Sequence, residues 1–282
     1  MRYQEYYPNL PLNRYVECFW TLEGNSEPGT PEPERILPDG CAELILNFGD
    51  RFIQHNGEGP QTQPLNFLVG QITRPMLISP TGKVELIGIR FHPGGTSPFF
   101  RLPMRSLTNE AVELELLSRP IAQRITERVQ HLPTLPLKIV ELERVLVAAI
   151  QTENCDQWLP GIANQIVLSG GVISVEHLAN TAGVSHRQLE RRFLRDVGVT
   201  PKVLCRILRF QQVFRVVESD PTWATVAVDC GYYDQAHLIR DFRQFAEQTP
   251  VALFDAQSAL TEAFTRKNRS SDFSNTKNAT KL

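Results

Sequence analysis

Arg187, Arg191 and Arg195 stand at four-residue spacing, and a second arginine pair, Arg240 and Arg243, begins 49 positions after Arg191. Residues four apart share one face of a helix. A guanidinium is a planar fork of N–H donors that matches two acceptors at once, whether on a carboxylate, a phosphate, or the O6 and N7 edge of guanine. A row of cations is ordinarily a solvated helix face; its recurrence in a second stretch of the same design points to a surface that is used. Glu190 flanks the first row and has two open readings: accepting from a cytosine amine, or pairing with Arg187 or Arg191. In the second stretch the outward row is Ala236, Ile239, Arg240 and Arg243, with Gln235 at its edge. Lys202, Arg206 and Arg209 form a third cluster, suited to phosphate contact or to a solvated face.

Other residue types offer less. Glu34, Asp39 and Glu43 lie close in sequence, but no base or nucleophile accompanies them, so a surface or effector-facing role is expected. The first 150 residues hold His55, His92 and His131, without metal-ligand spacing, and a lone histidine such as His92 is expected to be a satisfied barrel-mouth residue. Five cysteines (18, 41, 155, 205 and 230) are dispersed, with no Cys-x-x-Cys pair. That suits a reducing compartment and argues against both a disulfide framework and a zinc–thiolate site. No catalytic residue, metal or cofactor is expected.

The elements that position the arginines are written twice. "LERRFLRDVGVTP" begins at Leu189 and "LIRDFRQFAEQTP" at Leu238, with Leu189/Leu238, Arg191/Arg240, Phe193/Phe242, Thr200/Thr249 and Pro201/Pro250 sharing one offset. A helical array needs about three or more copies to bury a continuous core; two copies suggest a paired device. In the first, Ser174 caps a helix with Val175, Leu178, Ala179 and Ala182 inward. Gly183 turns, and Ser185 caps a second helix whose Leu189, Phe193 and Val197 oppose the arginine row. In the second, Asp220 and Pro221 open a helix with Trp223, Val226, Ala227 and Cys230 inward, Gly231-Tyr232-Tyr233 turns, and Asp234 caps. The turn position of both tyrosines suggests packing between helices. Between the copies, Thr200-Pro201 opens a helix to about Glu218. This is helix-turn-helix syntax.

Residues 1 to about 107 read as β-rich. "CAELILNFG" (41–49) and "KVELIGIRFHPGG" (83–95) are strands, and Pro/Gly clusters punctuate the rest at a spacing that suits a barrel or double-sheet jelly roll. From Thr108 the pattern turns helical: "LTNEAVELELL" offers Thr108 or Asn109 as a cap. "PLKIVELERVLVAAIQ" (136–151) carries a stripe of Ile139, Leu142, Val145, Leu146 and Ala149 that fits a dimer helix or core packing equally well. "TENCDQ" (152–157) marks a boundary, and the Ser/Thr/Asn/Lys-rich end is expected to be disordered.

With 282 residues, 41% hydrophobic and 21% charged, the chain has the composition of a two-domain globular protein. No stretch approaches the roughly 18–20 apolar residues of a membrane span, and the opening residues, with no apolar run after a basic tip, are not expected to act as a secretory signal. A cytoplasmic protein is expected. The net charge of −2 gives no global attraction to nucleic acid; any such attraction must be local.

The segments "ANTAGVSHRQLERRF" and "VAVDCGYYDQAHLIRDFRQF" resemble the DNA-binding domain of the AraC/XylS family of transcriptional regulators, over roughly Trp158 to Phe254. "ERILPDGCAELILNFGD" and "GIRFHPGGTSPFFRLPMRSLTNE" resemble a cupin-like domain found fused to it. The resemblance implies an α+β chain: an N-terminal β-barrel (cupin-like jelly roll), then an all-α domain of two helix-turn-helix units joined by a connecting helix. The division it suggests is a sensing domain at 1–107, a helical connection and dimerisation region at 108–155, the double helix-turn-helix at 156–260 and a tail at 261–282. It implies a non-enzyme that docks two recognition helices in successive major grooves of double-stranded DNA. Arg187, Glu190, Arg191, Arg195, Gln235, Ala236, Ile239, Arg240 and Arg243 would be at the contact. A small-molecule effector, a homodimer, and RNA polymerase if the protein activates are the other partners implied, with no membrane. Two rival readings stand beside it. One is a cupin-fold isomerase or dioxygenase with a DNA-binding appendage, although its His-x-His metal motif is absent. The other is a helical protein–protein module.

Overall fold

In a computed structural model of the chain, residues 1–26, 33–56, 59–151, 158–217 and 222–255 are described. The expected boundary at 152–157, the Asp220–Pro221 helix start and the tail from 261 lie outside them. The N-terminal part holds β1 (Arg2–Tyr6), β2 (Val16–Asn25), β3 (Glu34–Ile36), β4 (Ala42–Asn47), β5 (Phe52–Asn56), β6 (Gly59–Thr62), β7 (Asn66–Val69), β8 (Met76–Pro80), β9 (Lys83–Phe91) and β10 (Ala111–Glu113). They make a six-stranded sheet, β1-β2-β9-β4-β7-β10, and a four-stranded sheet, β3-β8-β5-β6. The pairings are antiparallel, as β2 with β9 and β4 with β9. The cupin-like double-sheet plan is present, open rather than closed into a barrel.

Period-two alternation gives the large sheet two apolar faces. Trp20, Leu22, Ile45, Phe67 and Leu86 point to one side, where Phe52 of the small sheet joins them. Phe19, Leu44, Leu68, Ile87, Ile89 and Phe91 point to the other. That second face is covered by α1 (Leu114–Leu117), α2 (Arg119–Arg128) and α3 (Leu135–Val147), giving three layers: small sheet, large sheet, helices. The stripe of Ile139, Leu142, Val145, Leu146 and Ala149 is buried in this core. Burial of each large side chain there stabilises by about 1.5–3 kcal/mol, so the stripe serves the domain's own core and is not available as a dimer face.

Helix was expected from Thr108, but Ala111–Glu113 is a strand paired with Phe67–Val69. The cause is Asn109, which takes a left-handed backbone (φ 64). Its Oδ1 accepts from Thr73 N at 2.7 Å, and its own N–H bonds Gln71 O at 2.9 Å. Those ties lay the following residues along β7 before α1 begins.

The C-terminal part is α4 (Leu159–Leu168), α5 (Val175–Ala182), α6 (His186–Asp196), α7 (Pro201–Val216), α8 (Trp223–Asp229), α9 (Gln235–Phe245) and α10 (Pro250–Asp255). It has two cores, and α7 belongs to both. Leu204 and Cys205 pack with Leu178, Leu189 and Phe193, whereas Ile207, Phe210, Val213 and Phe214 pack with Val226, Leu238, Phe242 and Phe245. Leu37, from the segment between β3 and β4, is buried in the second of these cores. Beside it, Gln211 Nε2 donates to Pro38 O and Arg35 Nη1 donates to Ala246 O at 2.8 Å; at a separate contact, with the first unit, Thr108 Oγ1 donates to Gly198 O at 2.9 Å. Gly40, with φ +85, sits where a Cβ would come 3.1 Å from Leu204 Cδ1. The N-terminal domain thus reaches into the helical one through a five-residue strap.

Candidate nucleic-acid interface

Each helix pair is set by local chemistry that the sequence states openly. Ser174 Oγ accepts from His177 N at the start of α5, and Gly183 closes that helix in a left-handed conformation (φ 65). Ser185 and Gln188 form a reciprocal capping box on α6. Asp234 caps α9 through His237 N at 2.8 Å, and Gly231 (φ 74) makes the matching turn. Removing such a cap costs about 1 kcal/mol. The repeat continues past the recognition helices: Thr200 Oγ1 accepts from Val203 N to open α7, and Thr249 Oγ1 accepts from Ala252 N to open α10. The second copy's first helix begins at Trp223, with Thr222 as its flanking residue.

On α6, Leu189 and Phe193 are fully buried, and Arg187 and Arg191 are exposed on the far side. On α9, Leu238 and Phe242 are fully buried, and Gln235, Ala236, Arg240 and Arg243 are exposed, with Ile239 half-buried beside them. Glu190 is half-exposed, its Oε1 3.9 Å from His186 Nδ1. Arg195 stands apart from the row: its Nε and Nη2 grip the two carboxylate oxygens of Asp196 at 2.7 and 2.6 Å. Of the two turn tyrosines, Tyr232 is buried and Tyr233 is 88% exposed at the entrance to α9. The common expectation for both therefore holds for Tyr232 alone.

Arg206 and Arg209 are neither a solvated face nor free to meet phosphate. Arg206 donates through Nε and Nη2 to Asp241 Oδ1 at 3.0 and 2.6 Å and to Gln244 Oε1 at 2.6 Å. Its guanidinium also lies over the Phe245 ring. Arg209 reaches the first unit through Gly171 O at 3.2 Å and lies 5.4 Å from the Tyr232 ring of the second. The two units also touch directly: a Cβ at Gly231 would fall 2.4 Å from Val172 Cγ2. Of that cluster, Lys202 is the exposed member. The sequence carries no local signal for these ties, because Arg206 and Asp241 lie 35 residues apart.

Among the described residues, three thiols are held away from reactivity. Burial pushes Cys205 up to about 11 and Cys230 up to about 12, and burial with the Asp39 and Glu17 charges raises Cys41. All three remain thiols near neutral pH. Asp39 and Glu43 are not an acid–base pair, since both bind the Arg90 guanidinium. Among the described residues, no helix is long and apolar enough to cross a membrane.

Residues 178–256 match the family model described as "Helix-turn-helix domain". This is an AraC-type helix-turn-helix domain. It is the DNA-binding part of a transcription regulator, and the paired geometry of α5–α6 and α8–α9 is its structural expression. Residues 4–113, the two sheets, match the model described as "Domain of unknown function (DUF6597)". No curated protein matches the chain. Solved structures similar to it include ToxT from Vibrio cholerae in a P21 crystal form, at TM-score 0.44 and 9% identity, covering 83% of this chain and 97% of that one. Another is ToxT from Vibrio cholerae O395 bound to (E)-4-(8-methylnaphthalen-1-yl)but-3-enoic acid, at TM-score 0.44 and 11% identity, covering 83% and 97%. A third is unsaturated-fatty-acid-bound wild-type ToxT from Vibrio cholerae strain SCE256, at TM-score 0.41 and 8% identity, covering 82% and 93%.

Proposed function

We propose that the chain is a sequence-specific, cytoplasmic transcription regulator whose α6 and α9 enter successive major grooves on one side of a duplex. One equivalence carries this reading. Arg191 and Arg240 occupy the same register position, both exposed, each opposite a buried Leu–Phe pair. The units that bear them are tied together through α7. Arg187, Glu190 and Arg191 on α6, and Gln235, Ala236, Ile239, Arg240 and Arg243 on α9, are the base-edge set. Arg195, held by Asp196, faces the phosphate backbone at the end of α6.

The working division is a sensing domain at 1–107, a segment at 108–155 that completes its sheet and core through β10 and α1–α3, the DNA-binding domain at 156–260 and a tail at 261–282. An effector taken up by the two-sheet domain modulates DNA binding, and RNA polymerase is the partner where the protein activates. A homodimer would use a surface other than the stripe at 136–151. No catalytic role is proposed: the carboxylates nearest to such a role, Asp39 and Glu43, are engaged by Arg90.

The test is selection of bound sequences from random duplex DNA with the full chain, followed by footprinting. Two preferred half-sites with centres about 10–10.5 base pairs apart, on one face, are expected. Recovery of unrelated sequences, or of one isolated half-site, would overturn the reading.

A further inference from the structure

A cavity of about 100 Å³ lies between the two sheets and opens beside α7. Trp20, Leu22, Ile45, Phe52, Phe67 and Met76 form its apolar wall. The Trp20 indole covers Gly88, where a Cβ would fall 1.9 Å from the ring. Gly88 is therefore the residue that lets the indole lie against the sheet as a floor. Asn47, Gln63 and Gln211 also line the cavity, with Arg35, whose guanidinium is held by Ala246 O and lies 3.9 Å from Glu247 Oε2; the charged cluster is at one end. Arg90 and Glu43 are paired opposite each other in the β9–β4 register. Arg90 Nη2 lies 2.6 Å from Glu43 Oε1 and 3.2 Å from Asp39 Oδ2, and Trp20 Nε1 donates to the same Glu43 oxygen at 3.1 Å. The Arg90 side chain is 8% exposed, yet its Nε–H has no hydrogen-bond partner. A buried donor left unsatisfied costs about 1–3 kcal/mol, which a bound acceptor would recover.

The chemistry of that end selects among ligands. A carboxylate would place a third anion beside Asp39 and Glu43. An ammonium would sit against a buried guanidinium. A neutral hydroxyl meets neither charge: its oxygen accepts from Arg90 Nε and its proton goes to a carboxylate oxygen. Size narrows the choice further. A dry apolar cavity of about 150 Å³ accepts benzene; at about 100 Å³ this one takes at most a single ring within its walls, and only as the unbranched Met76 side chain moves aside.

We propose that the cavity is the binding site for a small, uncharged, hydroxyl-bearing ring compound, a phenol or alicyclic alcohol, oriented by Arg90 and Glu43. This rests on the reading of the two-sheet domain as the effector-binding part. Its occupancy is felt by the helical domain directly, because Leu37, Asp39 and Gln211 belong to the same wall.

The test uses the full chain and three probes of one shape: p-cresol, 4-methylbenzoate and 4-methylbenzylamine. Calorimetric or fluorescence titration is expected to show p-cresol binding at least about tenfold tighter than either charged analogue. Arg90→Met should abolish that preference, although Asp39 and Glu43 lose their partner and the variant can fail to fold. Ile45→Phe fills the cavity without touching the polar end, and is expected to keep the fold and lose p-cresol. Equal or tighter binding of the benzoate, no saturable p-cresol binding at millimolar concentration, or unchanged affinity in a folded Ile45→Phe protein overturns the proposal. Operator affinity of the same preparation is measured with and without p-cresol. Saturable p-cresol binding that leaves operator affinity unchanged fails the effector reading and leaves the site standing. DNA binding without p-cresol binding does the reverse.

Discussion

Arg206 of α7 forks onto Asp241 of α9, with Nε and Nη2 at 3.0 and 2.6 Å from one carboxylate oxygen. A connecting-helix cation thereby fixes the second recognition helix instead of meeting DNA. Asp241 is buried, and Arg206 is about a fifth exposed.

Removing Arg206 strands a buried carboxylate. Arg206→Ala should destabilise the helical domain by roughly 3 kcal/mol, the low end for breaking a buried pair. DNA affinity should fall with the folded fraction. Arg206→Met with Asp241→Leu should recover most of the stability, because an apolar pair can replace a buried ion pair at little cost. Urea unfolding of the three proteins checks this; a stable Arg206→Ala with a reduced salt slope of DNA binding would return Arg206 to the phosphate contacts.

The exposed arginines should behave differently. Arg191→Ala and Arg240→Ala should each leave stability within about 0.5 kcal/mol, as surface changes do. Each should cost about 1–3 kcal/mol on the preferred site and relax one or two base positions. The affected positions should lie about one helical turn apart. Lys202→Ala should weaken all sequences alike and lower the salt slope by about one unit. A selection repeated with each variant decides: uniform weakening by both arginine variants would make them backbone contacts.

The parts legible in the sequence are those governed by near neighbours. Ser185 and Gln188, Asp234 and His237, and Thr200 before Pro201 lie within a turn of one another, so caps, turns and recognition helices could be read directly. Alternation did the same for β4 and β9. What the sequence concealed depends on distant partners. Ala111–Glu113 has a helical look and becomes a strand because Thr73 holds Asn109. The 136–151 stripe has two readings until Leu44, Ile87 and Phe91 are seen beneath it. The cation cluster on α7 reads as a phosphate contact or a solvated face until Asp241 and Gly171 O are in place. Gly88 gives no hint, as a glycine in a strand, that the Trp20 indole covers it.

The strap between the domains makes a further expectation. Leu37 belongs by sequence to the two-sheet domain and by packing to the core of Phe210 and Phe242. Leu37→Ala should cost roughly 2–4 kcal/mol, and the loss should fall on the helical domain. Calorimetry should resolve two transitions where Leu37 and the Gln211–Pro38 bond otherwise couple them. Leu68→Ala, which empties the large sheet's core instead, should lower the other transition. A single unchanged transition in Leu37→Ala would show that the strap does not join the domains.

Gly231 provides the sharpest test of how the two recognition helices are spaced. Its backbone is left-handed, at φ +74, and a Cβ there would lie 2.4 Å from Val172 Cγ2 and 3.1 Å from Cγ1. An alanine meets two penalties: about 1–2 kcal/mol for the left-handed conformation, and a collision with a β-branched side chain that has little freedom to rotate away. The collision acts across the seam between the helix-turn-helix units, so relieving it means moving one unit against the other. Gly231→Ala should therefore bind single half-sites much as the parent does, and lose its advantage on paired half-sites at the parent's spacing. Val172→Ala in the same protein removes both Cγ atoms. It should restore the spacing preference while leaving the backbone penalty in the melting temperature. Binding to a library in which half-site separation varies one base pair at a time reads both effects. If Gly231→Ala is destabilised yet keeps its spacing preference, the seam at Val172 does not set the distance between α6 and α9.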